Sequence, residues 1–524
     1  MNCILKTGIR VLLAPLLLFA SCTPQSEHSA LPNIIIVLAD DLGYGDLSCF
    51  NEKGRILTPH LDEMAKAGMR FTDAHTSSAV CTPTRYGLLT GRYNWRTRLK
   101  KSVLSGTSRA LIPNERTTLG SMLQASGYHT AFIGKWHLGW DWAIRDSIHS
   151  DEVRWEYGDT DIDFSAPVSN GPGSLGFDYS YGHSGSLDMA PYVYVENGRV
   201  TAQPDRSTVN NDYQGFWREG PTGSDFIHED VTPNFFRRSM DYIRERSGLE
   251  QPFFLYLALP SPHTPILPTE KWKGKSGLNV YGDFVLLVDD YMGQLLKVIR
   301  ESGIEENTLI FFTSDNGCSP RADFETLAEK GHDPSYIYRG HKADIYEGGH
   351  RVPFIARWPA RIEPGSSSDE VICTTDLFRT LAGLTGYEVN DDEGEDSYDL
   401  SPLFENGKPA EALREATVHH SIDGSFAIRK GDWKLIMCPG SGGWSYPTPR
   451  ECLETDTLPD IQLYNLASDP AETNNLQASE PEITSELKSL LENYIREGRS
   501  TPGQPQANDP VDFEWTQVGF MSPE

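Results

Sequence analysis

Short, unbroken apolar runs recur along the chain, and each of them ends in polar or glycine-rich residues. Five such runs precede residue 357, at 33–39, 129–134, 252–259, 308–313 and 352–356. Runs this short and this continuous are typical of strands buried on both faces, as in a parallel sheet. The pattern therefore predicts a central sheet that is covered on its two faces.

Helical patterns separate these runs. Apolar residues recur at helical spacing over 58–67, 117–125, 233–246 and 282–302, and Gly68 and Gly127 stand where helix C-caps belong. Strands that alternate with helices predict an α/β fold, with a large doubly wound, mostly parallel sheet flanked by helices. We expect this part of the chain to span residues 32–390.

The pattern changes after residue 390. The acidic stretch 391–396 has the composition of a solvated linker, and short alternating runs follow it, at 425–429, 433–437 and 461–466. These runs predict a small antiparallel sheet, on which a helix over 482–496 packs. Residues 391–524 are thus expected to form a smaller subdomain that ends in a proline-rich tail. Residues 141–230 show little periodicity, which predicts long loops.

The charge balance excludes some classes of function. The chain has 46 Lys and Arg against 74 Asp and Glu, a formal net charge of −28. Such a surface repels nucleic acid, so nucleic acid is not an expected partner. An anionic substrate requires a local cationic cluster, and the overall charge favours a pocket that takes the end of a chain over a surface that binds a long polyanion.

The N-terminus has the order of a bacterial export signal. Lys6 and Arg10 precede an apolar stretch over 11–20, which is too short to span a membrane, and small residues follow. Residues 1–21 are therefore predicted to be a signal peptide that is removed. The protein is expected to be exported to the bacterial periplasm or the outer membrane.

Two features concern cysteines. The run Phe19-Ala20-Ser21-Cys22 resembles a lipobox, so Cys22 is predicted to be lipidated and 22–31 to be a tether; cleavage that leaves a free Cys22 is the alternative. Cys438 and Cys452 flank a loop rich in Gly, Ser and Pro, and the sequence leaves open whether they form a disulfide.

Polar residues with metal-binding or catalytic chemistry follow four of the five runs. In chain order they are Asp40, Asp41, Lys135, His137, His263, Asp315 and Asn316. If the strands are parallel, these side chains meet at the carboxyl edge of the sheet, where ligands bind in open α/β folds. Three carboxylates and a carboxamide predict a site for a hard divalent cation, Ca²⁺ or Mg²⁺.

The segment Cys81-Thr82-Pro83-Thr84-Arg85 predicts a second element of this site. Pro83 suits the first turn of a helix, which places Cys81 at a helix N-terminus, where backbone N–H groups favour anions. Arg85 is four residues later and therefore lies on the same helix face as Cys81.

These segments resemble the type I sulfatases of the alkaline-phosphatase superfamily. Residues 81–85 match the C-x-P-x-R signature of that family, 134–139 (Gly-Lys-Trp-His-Leu-Gly) resemble its second signature, and 346–353 resemble the segment after its second lysine, here Lys342. The resemblance extends over about 33–385 and into the C-terminal part, at 463–470. It implies an alkaline-phosphatase-like fold and sulfate ester hydrolysis.

The resemblance also implies a cofactor set and residue roles. Cys81 is oxidised by a maturase to formylglycine, whose hydrated diol provides the nucleophile, and Ca²⁺ is held by the modified Cys81 with Asp40, Asp41, Asp315 and Asn316. Arg85 steadies the diol, and Lys135 and Lys342 hold the sulfate oxygens. His263, with Lys342, protonates the leaving alcohol, and His137 takes the proton from the diol so that sulfate is expelled.

The sequence indicates a class of substrate but not the individual substrate. An exported, lipid-anchored bacterial sulfatase suggests a sulfated glycan, either a glycosaminoglycan fragment or an algal polysaccharide fragment. His183 is a further candidate for substrate contact, as are His419 and His420. The alternatives are a phosphodiester or phosphonate monoester hydrolase of the same superfamily and a non-catalytic, lipid-anchored glycan-binding protein.

Overall fold

The computed structural model describes residues 31–144, 161–409, 411–455, 457–510 and 515–521. The predicted signal peptide, Cys22 and the tether up to residue 30 lie outside the described residues. The strands of the described part are, in chain order, β1 (Asn33–Asp40), β2 (Met69–Phe71), β3 (Ala74–His75), β4 (His129–Lys135), β5 (Tyr179–His183), β6 (Val195–Glu196), β7 (Arg199–Val200), β8 (Pro204–Asn210), β9 (Trp217–Gly223), β10 (Phe253–Pro262), β11 (Thr308–Ser314), β12 (Phe354–Arg357), β13 (Ser366–Ser368), β14 (Ile372–Cys373), β15 (Thr417–His420), β16 (Phe426–Lys430), β17 (Trp433–Ile436) and β18 (Gln462–Asn465).

The helices include every one that the periodicity predicts. In chain order they are α1 (Pro59–Lys66), α2 (Cys81–Thr90), α3 (Leu119–Ala125), α4 (Val231–Arg246), α5 (Val280–Glu301), α6 (Phe324–Glu329), α7 (Glu347–His350), α8 (Leu377–Thr385), α9 (Leu403–Asn406), α10 (Pro449–Leu453) and α11 (Pro481–Arg496). No helix in these described ranges is both long and apolar enough to cross a membrane.

A ten-stranded sheet forms the centre, in the order β13-β2-β12-β11-β1-β10-β4-β5-β6-β7. The five strands from β11 to β5 are parallel, which confirms the doubly wound α/β architecture. The fifth predicted strand, β12, differs from the expectation because it pairs antiparallel with β11. A continuous apolar run indicates burial on both faces, but it carries no information on strand direction.

The alternation of side chains along β1 explains why its apolar run is unbroken. Ile34 and Ile36 point into the cluster formed with α2, α3 and α8, whereas Ile35 and Val37 point into the cluster formed with α1, α4 and α5. Both faces of the strand are therefore buried against helices. Polar residues begin where β1 leaves the sheet, at Asp40.

Three positions at helix ends are of interest, and local capping explains the residue at two of them. Asn279 caps α5, since its side chain accepts hydrogen bonds from the backbone N–H groups of Tyr281 and Gly282. Gly127, after α3, has φ of 91°, in the left-handed region that glycine favours. Gly68, in contrast, follows α1 without a left-handed conformation, and its tight contact with Ala356 explains glycine there.

The C-terminal part contains the expected antiparallel sheet, with one strand more than predicted. The order is β15-β16-β17-β18, and β15 is the additional strand. Helix α11 covers one face of this sheet with Leu487, Leu491 and Ile495. The other face packs on Ile345 and Tyr346, which come shortly after Lys342 in the chain.

The acidic stretch 391–396 is not a solvated linker, so that expectation is wrong. Asp396 is fully buried, and Arg96 donates to both of its carboxylate oxygens at 2.8 Å. Glu395 is 1% exposed and accepts a hydrogen bond from Arg116 at 2.9 Å. The segment is acidic because it neutralises arginines that are distant in sequence. The division into parts at residue 390 stays a prediction.

The structure also bears on two other expectations, one about residues 141–230 and one about Cys438 and Cys452. The stretch 141–230, expected to form long loops, contains the strands β5 to β9 within its described residues. These strands lack the apolar runs that mark the central strands, so the pattern did not predict them. Cys438 and Cys452 are both free, so the open question of a disulfide is answered for the structure.

A buried cluster of ionisable groups joins the C-terminal sheet to β3 and α7. Lys434 donates to Nε2 of His350 at 3.0 Å, the Nδ1 atoms of His350 and His75 are 3.0 Å apart, and His75 Nε2 lies 2.6 Å from Asp73. Because the carboxylate of Asp73 only accepts, this chain of contacts fits neutral imidazoles. His419 stacks on His350 with ring centroids 3.9 Å apart.

This cluster predicts that the protein loses stability in mild acid. Burial, followed by the neighbouring cations and imidazoles, holds the pKa of His350 and of His419 well below the ordinary value. Below pH 6.5 the unfolded chain therefore binds protons that the folded chain does not, and the free energy of unfolding falls as pH falls. At pH 5 the two groups together contribute a loss of about 4 kcal/mol.

Urea unfolding at pH 7.5, 6 and 5 measures this loss. The variant His419→Gln is expected to lose about 2 kcal/mol of the wild-type dependence, since one of the two groups of this cluster is gone while the other buried histidines still titrate. A midpoint that does not change between pH 7.5 and pH 5 would contradict the prediction.

Candidate active site

The site lies at the carboxyl end of β1, where the order of the sheet changes direction. β1 pairs with β10 on one side and with β11 on the other, and all three strands are parallel. Open α/β sheets bind ligands at such a switch point. Asp40 ends β1, and Asp41 follows with φ of 63°, a left-handed conformation that turns the chain sharply above the sheet edge.

The four oxygen-bearing side chains predicted to bind metal come together here. Each of them is at most 1% exposed. The backbone N–H of Asp41 donates to Oδ1 of Asp315 at 3.2 Å, and Nδ2 of Asn316 donates to Oδ1 of Asp41 at 2.7 Å. Loops after β1 and β11 therefore supply Asp40, Asp41, Asp315 and Asn316 to one place.

The donor set fits a hard divalent cation. Oδ1 of Asp40 and Oδ1 of Asn316 are buried without a hydrogen-bond partner, although a buried oxygen acceptor normally has one. Burial, and then the neighbouring Asp40, raise the pKa of Asp315 to about 7. A Ca²⁺ ion would satisfy both unpartnered oxygens and would favour the ionised form of Asp315.

Cys81 is the first residue of α2, as its sequence context predicts. The residue before it, Val80, is extended, and Cys81 is 2% exposed. Burial raises the pKa of its thiol to about 11, despite the nearby Lys135 and Lys342. An unmodified thiol with this pKa is almost fully protonated at neutral pH and is therefore a poor nucleophile.

Arg85 links the helix to the metal-binding carboxylates. Its Nε and Nη2 atoms donate to Oδ2 of Asp315 at 3.0 and 2.7 Å, and its Nη1 donates to the carbonyl oxygen of Lys135 at 2.9 Å. The side chain is fully buried, and the paired carboxylates raise the pKa of Arg85 although burial opposes this. Arg85 therefore fixes α2 against the ends of β4 and β11.

Two lysines provide the local positive charge that an anionic substrate requires in this acidic chain. Lys135 Nζ donates to Oδ2 of Asp40 at 2.5 Å, and Lys342 Nζ lies 2.6 Å from Oδ1 of Asp41. Although burial lowers it, the adjacent Asp41 raises the pKa of Lys342 above the ordinary value, so this side chain stays protonated. Both ammonium groups are buried beside Cys81 and can bind sulfate oxygens.

His137 has one ring nitrogen available as a proton acceptor. Its Nε2 lies 2.7 Å from the carbonyl oxygen of Leu104, which can only accept, so Nε2 carries the hydrogen. The other nitrogen, Nδ1, is buried without a partner. Burial, followed by Lys135, holds the pKa of His137 well below the ordinary value, and the imidazole is neutral. A neutral ring with a free Nδ1 lone pair can act as a base.

His263 follows β10 and faces the same carboxylate as Lys342. Its Nδ1 donates to the carbonyl oxygen of Thr264, and its Nε2 lies 3.7 Å from Oδ2 of Asp41. Burial, and then Lys342, lower the pKa of His263. A bound anion would favour the protonated ring, which would then carry a proton on Nε2.

The remaining histidine candidates lie in different surroundings. His183 ends β5 next to Lys135 in the sheet, stacks on Phe235 and is 3% exposed; burial lowers its pKa to about 3. Its role in substrate contact stays a prediction. His419 and His420 belong to β15, where His419 joins the buried cluster described above and His420 packs on Phe426.

Sequence reasoning missed the apolar residues around Cys81. Val103, Met189 and Ala343 pack with Val80 and Cys81 into one small cluster. Val103 comes from the segment between α2 and α3, and Met189 from the segment after β5. These residues have ordinary side chains in loops, so the sequence carried no signal for them.

Comparisons with known proteins agree with this geometry. The sequence profile described as Sulfatase matches residues 32–387. An N-acetylgalactosamine-6-O-sulfatase of Bacteroides thetaiotaomicron is 34% identical over 510 residues, which cover 89% of this chain and 94% of that protein. Human arylsulfatase A is 31% identical and covers 88% of this chain and 87% of its own length. A solved B. thetaiotaomicron structure, described with the metabolism of multiple glycosaminoglycans, matches with a TM-score of 0.75 and 32% identity, covering 89% of this chain and 99% of that one.

Proposed function

The chain belongs to the sulfatase family of sulfuric ester hydrolases, and on that premise we propose that it removes sulfate from a sulfated carbohydrate. The 6-O-sulfate of N-acetylgalactosamine in glycosaminoglycan fragments is the first candidate, since the 34% identical relative carries that activity in its name. The observation that carries the proposal is the position of Cys81, beside a buried oxygen cluster and between two buried lysines.

The proposal includes a metal ion and a modified residue, neither of which the sequence encodes directly. Asp40, Asp41, Asp315 and Asn316 would hold Ca²⁺ together with residue 81, and a maturase would convert Cys81 to formylglycine. Bound there, the ion and the hydrated aldehyde supply a metal-activated oxygen nucleophile at neutral pH. The match of residues 81–85 to the C-x-P-x-R signature supports this modification.

The chain's own residues would position the substrate and move protons. Lys135 and Lys342 would hold the sulfate oxygens and stabilise the charge that develops on them. His263 would donate the Nε2 proton to the leaving sugar oxygen, assisted by Lys342. His137 would take up a proton at its free Nδ1 when sulfate leaves residue 81, and Arg85 would keep α2 in register with the metal ligands.

The site is proposed to belong to a catalytic part at 32–390, with 391–524 as the C-terminal subdomain.

We also propose export as a lipoprotein anchored through Cys22, on the strength of Lys6, Arg10 and the apolar stretch that follows them. The mass of the mature N-terminal peptide tests this, because a diacylated Cys22 is heavier than a free one.

Sulfate release from defined sugars tests the activity. Protein produced with a maturase and supplied with Ca²⁺ is expected to desulfate 6-O-sulfated N-acetylgalactosamine at least about tenfold faster than its 4-O-sulfated isomer. The matched comparison is a bis-aryl phosphodiester, on which we expect only a slow side reaction. Faster hydrolysis of the phosphodiester than of every sulfated sugar would contradict the proposal and favour a phosphodiesterase.

A further inference from the structure

A loop of the C-terminal part is tied to the segment that carries Lys342. The carboxylate of Asp344, two residues after that lysine, is completely buried. It accepts hydrogen bonds from the backbone N–H groups of Trp444 at 2.7 Å and Ser445 at 3.0 Å, and from the hydroxyl of Ser445 at 2.6 Å. A buried ionised group with this many donors fixes the loop firmly.

The same loop approaches the lysine segment closely along its backbone. A Cβ atom at Gly443 would lie 2.5 Å from the carbonyl oxygen of Ala343, so only glycine fits there without a shift. Ala343 in turn packs against Cys81, and its own carbonyl oxygen accepts from the backbone N–H of Ile422 at 3.0 Å. The loop is therefore part of the wall beside the nucleophile position.

This fixed loop exposes two large aromatic side chains. Trp444 is 47% exposed and Tyr446 is 77% exposed. Within the described residues neither ring stacks on another ring or lies under a cation, in contrast to most of the other aromatic rings near the surface. Exposed aromatic rings without a ring or cation partner are suited to stacking on an amphipathic ligand.

The position of the loop indicates which part of a substrate it meets. Lys342 and His263 both approach Asp41, at 2.6 Å and 3.7 Å, and they form the side of the site where the leaving alcohol would be protonated. Asp344, which binds the backbone N–H of Trp444, is two residues after Lys342 in the chain. A sugar joined to the sulfated ring would therefore extend towards Trp444 and Tyr446.

We propose that Trp444 and Tyr446 form a subsite that binds the pyranose ring next to the sulfated sugar of an oligosaccharide. This subsite rests on the proposed function of the site. The indole of Trp444 stacks on the apolar face of the adjoining ring, and Tyr446 borders it towards solvent. The subsite makes the enzyme prefer an oligosaccharide over a sulfated monosaccharide.

Kinetics on two chain lengths test the subsite. Wild-type and Trp444→Ala enzymes, both converted at Cys81, are compared on 6-O-sulfated N-acetylgalactosamine and on a 6-O-sulfated chondroitin tetrasaccharide. We expect the variant to raise KM for the tetrasaccharide roughly tenfold and to change kcat/KM for the monosaccharide less than about twofold. Trp444→Phe should restore much of the tetrasaccharide KM, because a ring is again available for stacking.

The matched control is Leu453→Ala, which removes an 87% exposed apolar side chain from the same subdomain and should change neither substrate. Equal effects of Trp444→Ala on both substrates, or no effect on either, would overturn the subsite. If wild-type protein desulfates neither sugar, the proposed function fails, and calorimetry with unsulfated chondroitin tetrasaccharide then decides the subsite independently. Binding that Trp444→Ala weakens supports it, and binding that is absent or unchanged overturns it.

Discussion

Replacing Cys81 by alanine is expected to reduce sulfate release by at least about 10⁴-fold while the protein stays folded. The substitution removes the atom from which the nucleophile would be made, and no neighbouring group replaces it. Little stability should be lost, because alanine suits the first turn of α2 and the other metal-binding side chains are unchanged. Turnover of 6-O-sulfated N-acetylgalactosamine, together with the thermal midpoint, provides the measurement.

Cys373→Ala is the matched control, since Cys373 is also fully buried and its thiol pKa is likewise raised to about 11, but it belongs to β14. That variant should keep the wild-type kcat. If Cys81→Ala retained a tenth of the wild-type rate, the role of residue 81 as nucleophile would have to be abandoned.

The second large effect is expected from Asp315→Asn, which keeps the size of the side chain and removes its charge. Asp315 would be a metal ligand, and it also accepts two of the three hydrogen bonds that Arg85 donates. We expect the affinity for Ca²⁺ to fall at least about 100-fold and kcat/KM to fall roughly 10³-fold. Sulfate release at increasing Ca²⁺ separates the two effects.

A thermal readout tests the same variant without any turnover. Ca²⁺ that binds only the folded protein stabilises it, so millimolar Ca²⁺ should raise the unfolding midpoint of the wild type and leave that of Asp315→Asn nearly unchanged. Asp212→Asn, in an exposed turn, should respond like the wild type. A wild-type midpoint that is insensitive to Ca²⁺, Mg²⁺ and EDTA alike would contradict a metal at this position.

The predicted site and the structure agree because both depend on one rule of α/β sheets. Asp40, Lys135, His263 and Asp315 follow apolar runs, and the parallel arrangement of β1, β4, β10 and β11 brings the carboxyl ends of those runs to one edge. Position in the chain therefore predicted proximity in space. The expected roles of these residues came from the resemblance to sulfatases.

What the sequence did not predict depends on contacts between distant segments. The burial of Asp396 requires Arg96, which is 300 residues away, and acidic composition alone suggested exposure. The antiparallel direction of β12 depends on the path of the preceding connection and leaves no trace in its apolar pattern. The aromatic loop at Trp444 is recognisable only when Asp344 is seen to hold it.

The site joins residues that are made at very different times. Arg85 meets Asp315 across 230 residues, and Asp41 meets Lys342 across 301. While the ribosome is still producing the second half of the chain, Cys81 lacks Ala343 among its packing neighbours; in the folded chain Cys81 is 2% exposed. Any enzyme that acts on Cys81 must consequently reach it before the sheet is complete.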